Sequence, residues 1–172
     1  LAAAAAMGQR AAALGADFVI GIGGGSAMDS AKAVAAFAAN PTAAPEDLFT
    51  PGKLTSHPLP IVLIPTTAGT GSEANPYSVL TLPDGRHKKT YSGRGAWAKV
   101  AFLDPAYTES VSRDSTISTA LDAMAHAMES YLSPKSDALS HMLALYAGRE
   151  IWDVISEYPD TFTPEMRDRL SY

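Results

Sequence analysis

The sequence contains no cysteine. A disulfide framework and a thiolate metal centre are therefore excluded, and any metal held here must take carboxylate and imidazole ligands. Histidine is scarce as well, with four in the chain, so the imidazoles to weigh are His57, His87, His126 and His141. Basic charge is outweighed: 13 lysines and arginines face 18 acidic residues, for a net charge of -5, and no basic stripe stands out. That argues against nucleic acid and against an anionic membrane as partners. No run of about 18 apolar residues occurs, so no membrane span is expected. What remains, 47% hydrophobic and 18% charged residues over 172 positions, fits a soluble globular protein with room for one ordinary domain or parts of two.

The chain starts LAAAAAMGQRAAALG, without an initiator Met. It ends EMRDRLSY just as a helix begins, with Thr163 as N-cap and Pro164 at the first helical position. Both ends look cut. The expectation is an interior piece of a longer, cytoplasmic protein, with the absence of a targeting signal carrying little weight.

Residues 2–14 read as an Ala-rich helix closed by Gly15. Phe18 to Ile20 read as a short buried strand that enters a glycine turn, and SAMDSAKAVAAFAA as the helix after it. Residues 40–59 form a Pro-rich loop with room for one helical turn. PIVLIP is a second apolar strand, PYSVLTLPDGRHKKTYSG a hairpin turning at Pro83-Asp84-Gly85, and WAKVAFLDP a third apolar strand stopped by Asp104-Pro105. From about residue 110 the pattern is helical: SRDSTISTALDAMAHAMESYLS, then a helix over 137–158 capped by Ser136. The expected organisation is an α/β part with a parallel sheet over 1–108, followed by the start of an all-α part over 109–172.

Three stretches carry chemistry. In GIGGGSAMDSAK, Gly21, Gly23, Gly24 and Gly25 stand between strand and helix. Glycines there let the backbone approach a ligand, and a helix N-terminus offers free N–H groups and positive potential to a phosphate. The dinucleotide fingerprint G-x-G-x-x-G fails at Ser26, and no Gly-Lys-Ser/Thr follows as in a P-loop. The plainer alternative is a tight strand-to-helix turn. PTTAGTGSE repeats the theme, with Thr66, Thr67, Thr70 and Ser72 after a buried strand. Ligands of open α/β sheets sit at such strand ends, and a polar turn is the alternative.

In ALDAMAHAMESYLS, Asp122 and His126 stand four apart, on one helix face. They flank an apolar stripe of Ile117, Leu121, Met124, Met128 and Tyr131. A cation can touch both, but a solvated Asp–His pair is the plainer reading, and a catalytic site needs at least a third protein ligand. The same spacing recurs at Asp137 and His141, where Ser136 is expected to cap the helix and Asp137 to face its positive end. Nothing brings His57 or His87 near.

GGGSAMDSAK, PTTAGTGSE, LDPAYT and ALDAMAHAMESYLS, in that order, resemble the iron-containing alcohol dehydrogenase family, and the resemblance runs over essentially the whole chain. It implies an N-terminal α/β nucleotide-binding domain and a C-terminal helical metal-binding domain. Members are usually more than twice this length, which implies an incomplete sheet and only the first helices of the helical domain.

Carried over position by position, the resemblance implies that Gly23, Gly24, Gly25 and Ser26 hold a cofactor pyrophosphate and that Asp29 closes that motif. It implies that Thr66, Thr67 and Thr70 line the nicotinamide side. Val79, Lys88 and Tyr107 fall at further cofactor-contact positions, with Tyr107 where the family more often has Leu. Asp122 and His126 match the first two of four metal ligands, and the others would be histidines beyond Tyr172.

The implied reaction is reversible hydride transfer between an alcohol and its aldehyde or ketone. Its cofactors would be NAD or NADP and a divalent metal, Fe(II) with Zn(II) as the alternative. The substrate is a small molecule, the full-length protein is expected to be a homo-oligomer, and the chain by itself is expected to be inactive. The competing readings are a non-catalytic nucleotide-binding remnant and a relative of the glycerol dehydrogenase or dehydroquinate synthase type. Ser26, where glycerol dehydrogenases tend to have Lys, and the TTAGTGSE loop disfavour the latter.

Overall fold

Small side chains let the first two helices meet backbone to backbone. In the computed structural model, which describes residues 1–93, 95–157 and 160–171, α1 spans Ala2–Ala13 and α2 spans Gly25–Ala39. A Cβ placed on Gly8 would come within 2.9 Å of the Ala38 nitrogen and the Val34 carbonyl oxygen, so only glycine allows this approach. Helix α2 is buried along most of its circumference, through Met28, Ala31, Lys32, Ala33, Ala35, Ala36, Phe37 and Ala38. A helix so covered is a core element rather than a surface one. One side packs on α1, Leu48, Leu80 and Tyr91, and the other packs on Ile61 and Leu63 of the sheet.

That sheet has three parallel strands in the order β1 (Val19–Gly23), β2 (Ile61–Pro65), β5 (Val100–Ala101). Register runs from Val19 opposite Ile61 to Gly23 opposite Pro65. The crossover through α2 supplies the long connection that parallel strands require. Gly21 faces α2, where a Cβ would meet Ala31 at 2.7 Å and Leu63 at 2.8 Å. The opposite face leaves Ile20, Ile22 and Phe102 exposed.

Strand β1 begins one residue later than the pattern suggests and continues through Gly23, because Gly21 and Gly23 both take places in the ladder, opposite Leu63 and Pro65, with Gly23 doing so at a positive φ. Strand β5 is shorter than expected. The Lys99 and Phe102 N–H groups still donate to Ile61 and Leu63, but Asp104 then accepts from Ala106 N and starts a 3-10 turn over Pro105–Thr108.

The hairpin is β3 (Tyr77–Thr81) against β4 (Lys88–Ser92), antiparallel, with Val79 opposite Thr90. Its turn is closed by Asp84, which accepts from the Arg86 and His87 N–H groups and from the His87 ring, with Gly85 at φ +70°.

The chain divides into two compact units: residues 1–65 with 72–102, and residues 66–71 with the described residues from Leu103 onward. The loop 66–71 and residues 103–108 thus cluster with the helices, on the far side of the boundary drawn from the sequence.

In the second unit α3 spans Arg113–Leu132, α4 Ala138–Ile155 and α5 Pro164–Ser171. Ser112 caps α3 and Thr163 caps α5 through their hydroxyls. The cap of α4 is Asp137 and not Ser136. The Asp137 carboxylate accepts from both the N–H and the hydroxyl of Ser140, at 2.8 Å each, and a charged acceptor outcompetes a hydroxyl there. Ser136 instead donates to the Ser130 carbonyl. The end of that helix expected at Tyr158 falls outside the described residues.

The stripe Ile117, Leu121, Met124, Met128, Tyr131 is largely in the open. Leu121, Met128 and Tyr131 are exposed, whereas Thr116 and Ala120 are the buried residues of α3. Gly69 approaches α3 at Thr119, and Ala144 is among the buried residues of α4. Among the described residues no helix is long and apolar enough to cross a membrane.

Candidate functional site

The glycine turn is built as a strand end feeding a helix start. Gly23 ends β1 at φ +141°, and Gly24 is the N-cap of α2 with extended backbone. A Cβ on Gly23 would meet that of Ala27 at 2.8 Å. No side chain caps α2, and no acidic residue stands in its first turn. Gly25 and Ser26 open the helix, with Ser26 exposed. An uncapped start without carboxylates suits an anion, since the N–H groups of the first turn have no helical partner.

One turn further along α2, Asp29 and Lys32 tie the helix to the hairpin. Asp29 Oδ1 accepts from the Ser72 hydroxyl at 2.7 Å and Oδ2 from the Val79 N–H at 2.9 Å, while its carbonyl accepts from the Ser78 hydroxyl at 2.7 Å. Lys32 is fully buried, and Nζ donates to the carbonyls of Ser72 (2.7 Å) and Tyr77 (2.6 Å), to Ser72 Oγ (2.9 Å) and to Asn75 Oδ1 (3.4 Å). Burial pulls its pKa below the usual lysine value, and the Asp29 and Glu73 charges offset part of that. The ring of acceptors is what makes a buried ammonium tolerable.

The other expected cofactor contacts are distributed as follows. Val79 is on β3 with its side chain outward, and Lys88 opens β4 on the exposed surface opposite Thr81. Both belong to the first unit together with Gly23, Gly24, Gly25, Ser26 and Asp29. Thr66, Thr67 and Thr70 follow β2 as a half-buried bend in the second unit, and Tyr107 sits exposed in the 3-10 turn of that unit. The bend is laid on α3 through Gly69, whose added Cβ would meet the Thr119 carbonyl carbon at 2.9 Å.

Asp122 and His126 face the same way on α3, with Oδ1 and Nε2 4.0 Å apart and both side chains 56% exposed. Ligand bonds of about 2.0–2.2 Å in tetrahedral geometry put two donors about 3.4 Å apart, so a small side-chain rotation would bring this exposed pair within reach of a shared divalent ion. Carboxylate oxygen with imidazole nitrogen suits Fe(II) and Zn(II) alike. Among the described residues no group of three or more His, Asp or Glu could complete such a site. The repeat of this spacing is used differently: Asp137 caps α4, and the His141 ring meets that of Tyr131 at a tilt of 41° with centroids 4.7 Å apart.

Lys32 escaped the sequence reading. Its signal was present, because Met28, Lys32 and Ala35 share the face that α2 buries, so a lysine there had to find acceptors. Arg167 on α5 escaped as well, because its carbonyl partners lie 59 and 56 residues away. It is buried and donates to the carbonyls of Thr108 (2.6 Å) and Val111 (3.2 Å).

Comparison with known proteins follows the same lines. The sequence profile described as iron-containing alcohol dehydrogenase matches residues 1–105. Long-chain-alcohol dehydrogenase 1 of Geobacillus thermodenitrificans is 42% identical over 137 residues, 78% of this chain and 34% of that protein. An iron-containing alcohol dehydrogenase structure from Thermotoga maritima superposes with a TM-score of 0.81 at 45% identity, over 89% of this chain and 41% of its own. The sulfoacetaldehyde reductase of Bifidobacterium kashiwanohense, solved with NAD+, gives 0.87 at 31% identity, over 98% and 45%.

The chain thus spans less than half the length of each of these relatives. Its fold is theirs, an α/β nucleotide-binding domain followed by helices. A parallel β1–α2–β2 unit with glycines at the crossover, matched by the profile through residue 105, establishes that the chain belongs to the iron-containing alcohol dehydrogenase family.

Proposed function

We propose that this chain supplies the nucleotide-binding surface and part of the metal site of an NAD(P)-dependent alcohol dehydrogenase. The substrate would be a small alcohol, oxidised reversibly to its aldehyde or ketone by hydride transfer to the nicotinamide. The observation that carries the reading is the Asp122–His126 pair, 4.0 Å apart and open to solvent on α3, in a chain whose α2 starts uncapped on glycines.

In this reading the first-turn N–H groups of α2 and the Ser26 hydroxyl receive the cofactor pyrophosphate. Glycine at 23, 24 and 25 keeps Cβ atoms out of its path. Val79 and Lys88 meet the cofactor from the hairpin, and Thr66, Thr67, Thr70 and Tyr107 are the further cofactor contacts that the family resemblance implies. Asp122 and His126 would hold a divalent ion, Fe(II) by family resemblance, that supplies Lewis acidity to lower the pKa of the alcohol hydroxyl. As a separate polypeptide the chain carries two of the expected ligands, and we expect it to bind nucleotide without turnover. Cytoplasmic location and homo-oligomerisation of the natural protein belong to the same proposal.

The experiment is His126→Ala in the natural protein. Fe(II)-dependent alcohol oxidation should be lost while NADH binding, read by fluorescence titration, stays within about twofold of wild type, since a ligand change acts on the chemical step. Wild-type turnover in that variant would remove Asp122 and His126 from the mechanism. The second reading is nucleotide binding without catalysis. A natural protein that binds NADH and retains no Fe(II) after dialysis would decide for it.

A further inference from the structure

The lysine that ends GGGSAMDSAK invites a role as a cation for phosphate, yet its geometry is incompatible with that. Lys32 has no exposed surface, and its ammonium is aimed at the carbonyls of Ser72 and Tyr77 and at the side chains of Ser72 and Asn75. Asp29, three residues before it, holds the Ser72 hydroxyl and the Val79 N–H, and its carbonyl takes the Ser78 hydroxyl.

Strand β3 has one edge paired with β4. Its other edge is paired with these α2 groups: the Tyr77 carbonyl with Lys32, and the Val79 N–H with Asp29. A strand edge that must otherwise be covered by another strand or by water is here covered by two side chains of a helix, and the Asp29 carbonyl adds a bond to the Ser78 hydroxyl.

We propose that Lys32, acting with Asp29, is a positioning residue that fastens the β3–β4 hairpin, with Val79 and Lys88, to the helix whose N-terminus takes the cofactor phosphates. This rests on the cofactor reading above. The two ends of the cofactor surface are then set by one helix: its first turn forms the phosphate end, and its next turn fixes the hairpin in register with it. The inward-drawn ammonium explains why the motif carries a lysine that contributes nothing to phosphate charge. Its lowered pKa agrees with a group that burial has removed from solvent.

The test compares two probes on the natural protein, NADH and ADP. ADP carries the adenosine and the pyrophosphate, whereas NADH adds the nicotinamide riboside, the half that this proposal assigns to the hairpin. In Lys32→Met the hairpin loses its fastening, and NADH should bind about tenfold more weakly, as a group displaced by an ångström does. ADP should stay within about twofold, because the α2 N-terminus is unchanged. Ser78→Ala cuts a neighbouring tie while leaving Lys32 in place. It should show the same asymmetry at about threefold, and it decides the matter if Lys32→Met does not fold.

Equal loss of both probes in the folded variant, or loss of neither, overturns the positioning role while leaving the cofactor reading intact. Wild-type protein that binds neither probe overturns both.

Discussion

The backbone of Gly69 rests against the main-chain carbonyl of Thr119, with φ +119° at the glycine and 2.9 Å from a would-be Cβ to the Thr119 carbonyl carbon. The threonine-rich bend and the start of the turn that carries Asp122 are therefore in direct contact within one unit, and glycine is required twice over: for its conformation and for the space.

Gly69→Ala should accordingly destabilise the protein by about 2–4 kcal/mol, the sum of a strained φ and a backbone clash. Urea unfolding measures it. A midpoint unchanged from wild type would mean that the bend is not seated on α3.

Two helical glycines should respond to alanine with opposite signs. Alanine normally gains about 1 kcal/mol over glycine inside a helix. At Gly148, in α4, nothing is within 4 Å of the added Cβ, so Gly148→Ala should raise the melting temperature. At Gly8 the added Cβ meets backbone atoms of α2 at 2.9 Å, and overpacking of about 1–3 kcal/mol should outweigh the gain. Thermal melts of the two variants side by side check the sign of each, and a stabilised Gly8→Ala would contradict the close α1–α2 packing.

Asp137 ties the stability of α4 to pH. The Ser140 N–H and hydroxyl hold its carboxyl below the usual carboxylate range. A folded pKa below the unfolded one means that the unfolded chain binds the proton more readily. The contribution is therefore present above the ordinary carboxylate pKa and lost as pH falls through the folded value. Asp137→Ala should lower the melting temperature at pH 7, and its difference from wild type should shrink below the ordinary carboxylate range. A difference that stays constant down to acid pH would show that the charge contributes nothing.

Arg167 is a buried cation with carbonyl partners. Removing it in Arg167→Met takes the guanidinium donors from the Thr108 and Val111 carbonyls, bonded at 2.6 and 3.2 Å, and although Thr108 keeps the Val111 N–H at 3.0 Å, the loss of these charge-assisted bonds should cost about 1–3 kcal/mol. Lysine presents no planar fork for two divergent acceptors, so Arg167→Lys should fall between methionine and wild type. Chemical denaturation of the three proteins ranks them, and a methionine variant as stable as wild type would refute the assignment.

These cases separate what local pattern reveals from what it hides. The glycines between β1 and α2, the Pro83-Asp84-Gly85 turn and the shared face of Asp122 and His126 are all consequences of spacing within a few residues, and spacing is visible in a sequence. Lys32 finds its acceptors 40 to 45 residues away, and Arg167 finds Thr108 at 59, so neither set can be read from neighbours. The cap of α4 went to Asp137 over Ser136 by competition between adjacent acceptors, which propensity alone ranks as near equals. The grouping of residues 66–71 with the helices involves contacts such as that of Gly69 with Thr119, 50 positions away, which neighbours in sequence do not reveal.

The covered edge of β3 also bears on motion. A strand bonded on both sides, to β4 and to α2, has no slack, so hairpin and helix start should travel as one body with no hinge between them. The entropy of bringing them together is lost when the unit folds rather than when a nucleotide arrives, which leaves a preorganised surface. Substitutions that loosen this unit should therefore register first as weaker nucleotide binding and only later as unfolding.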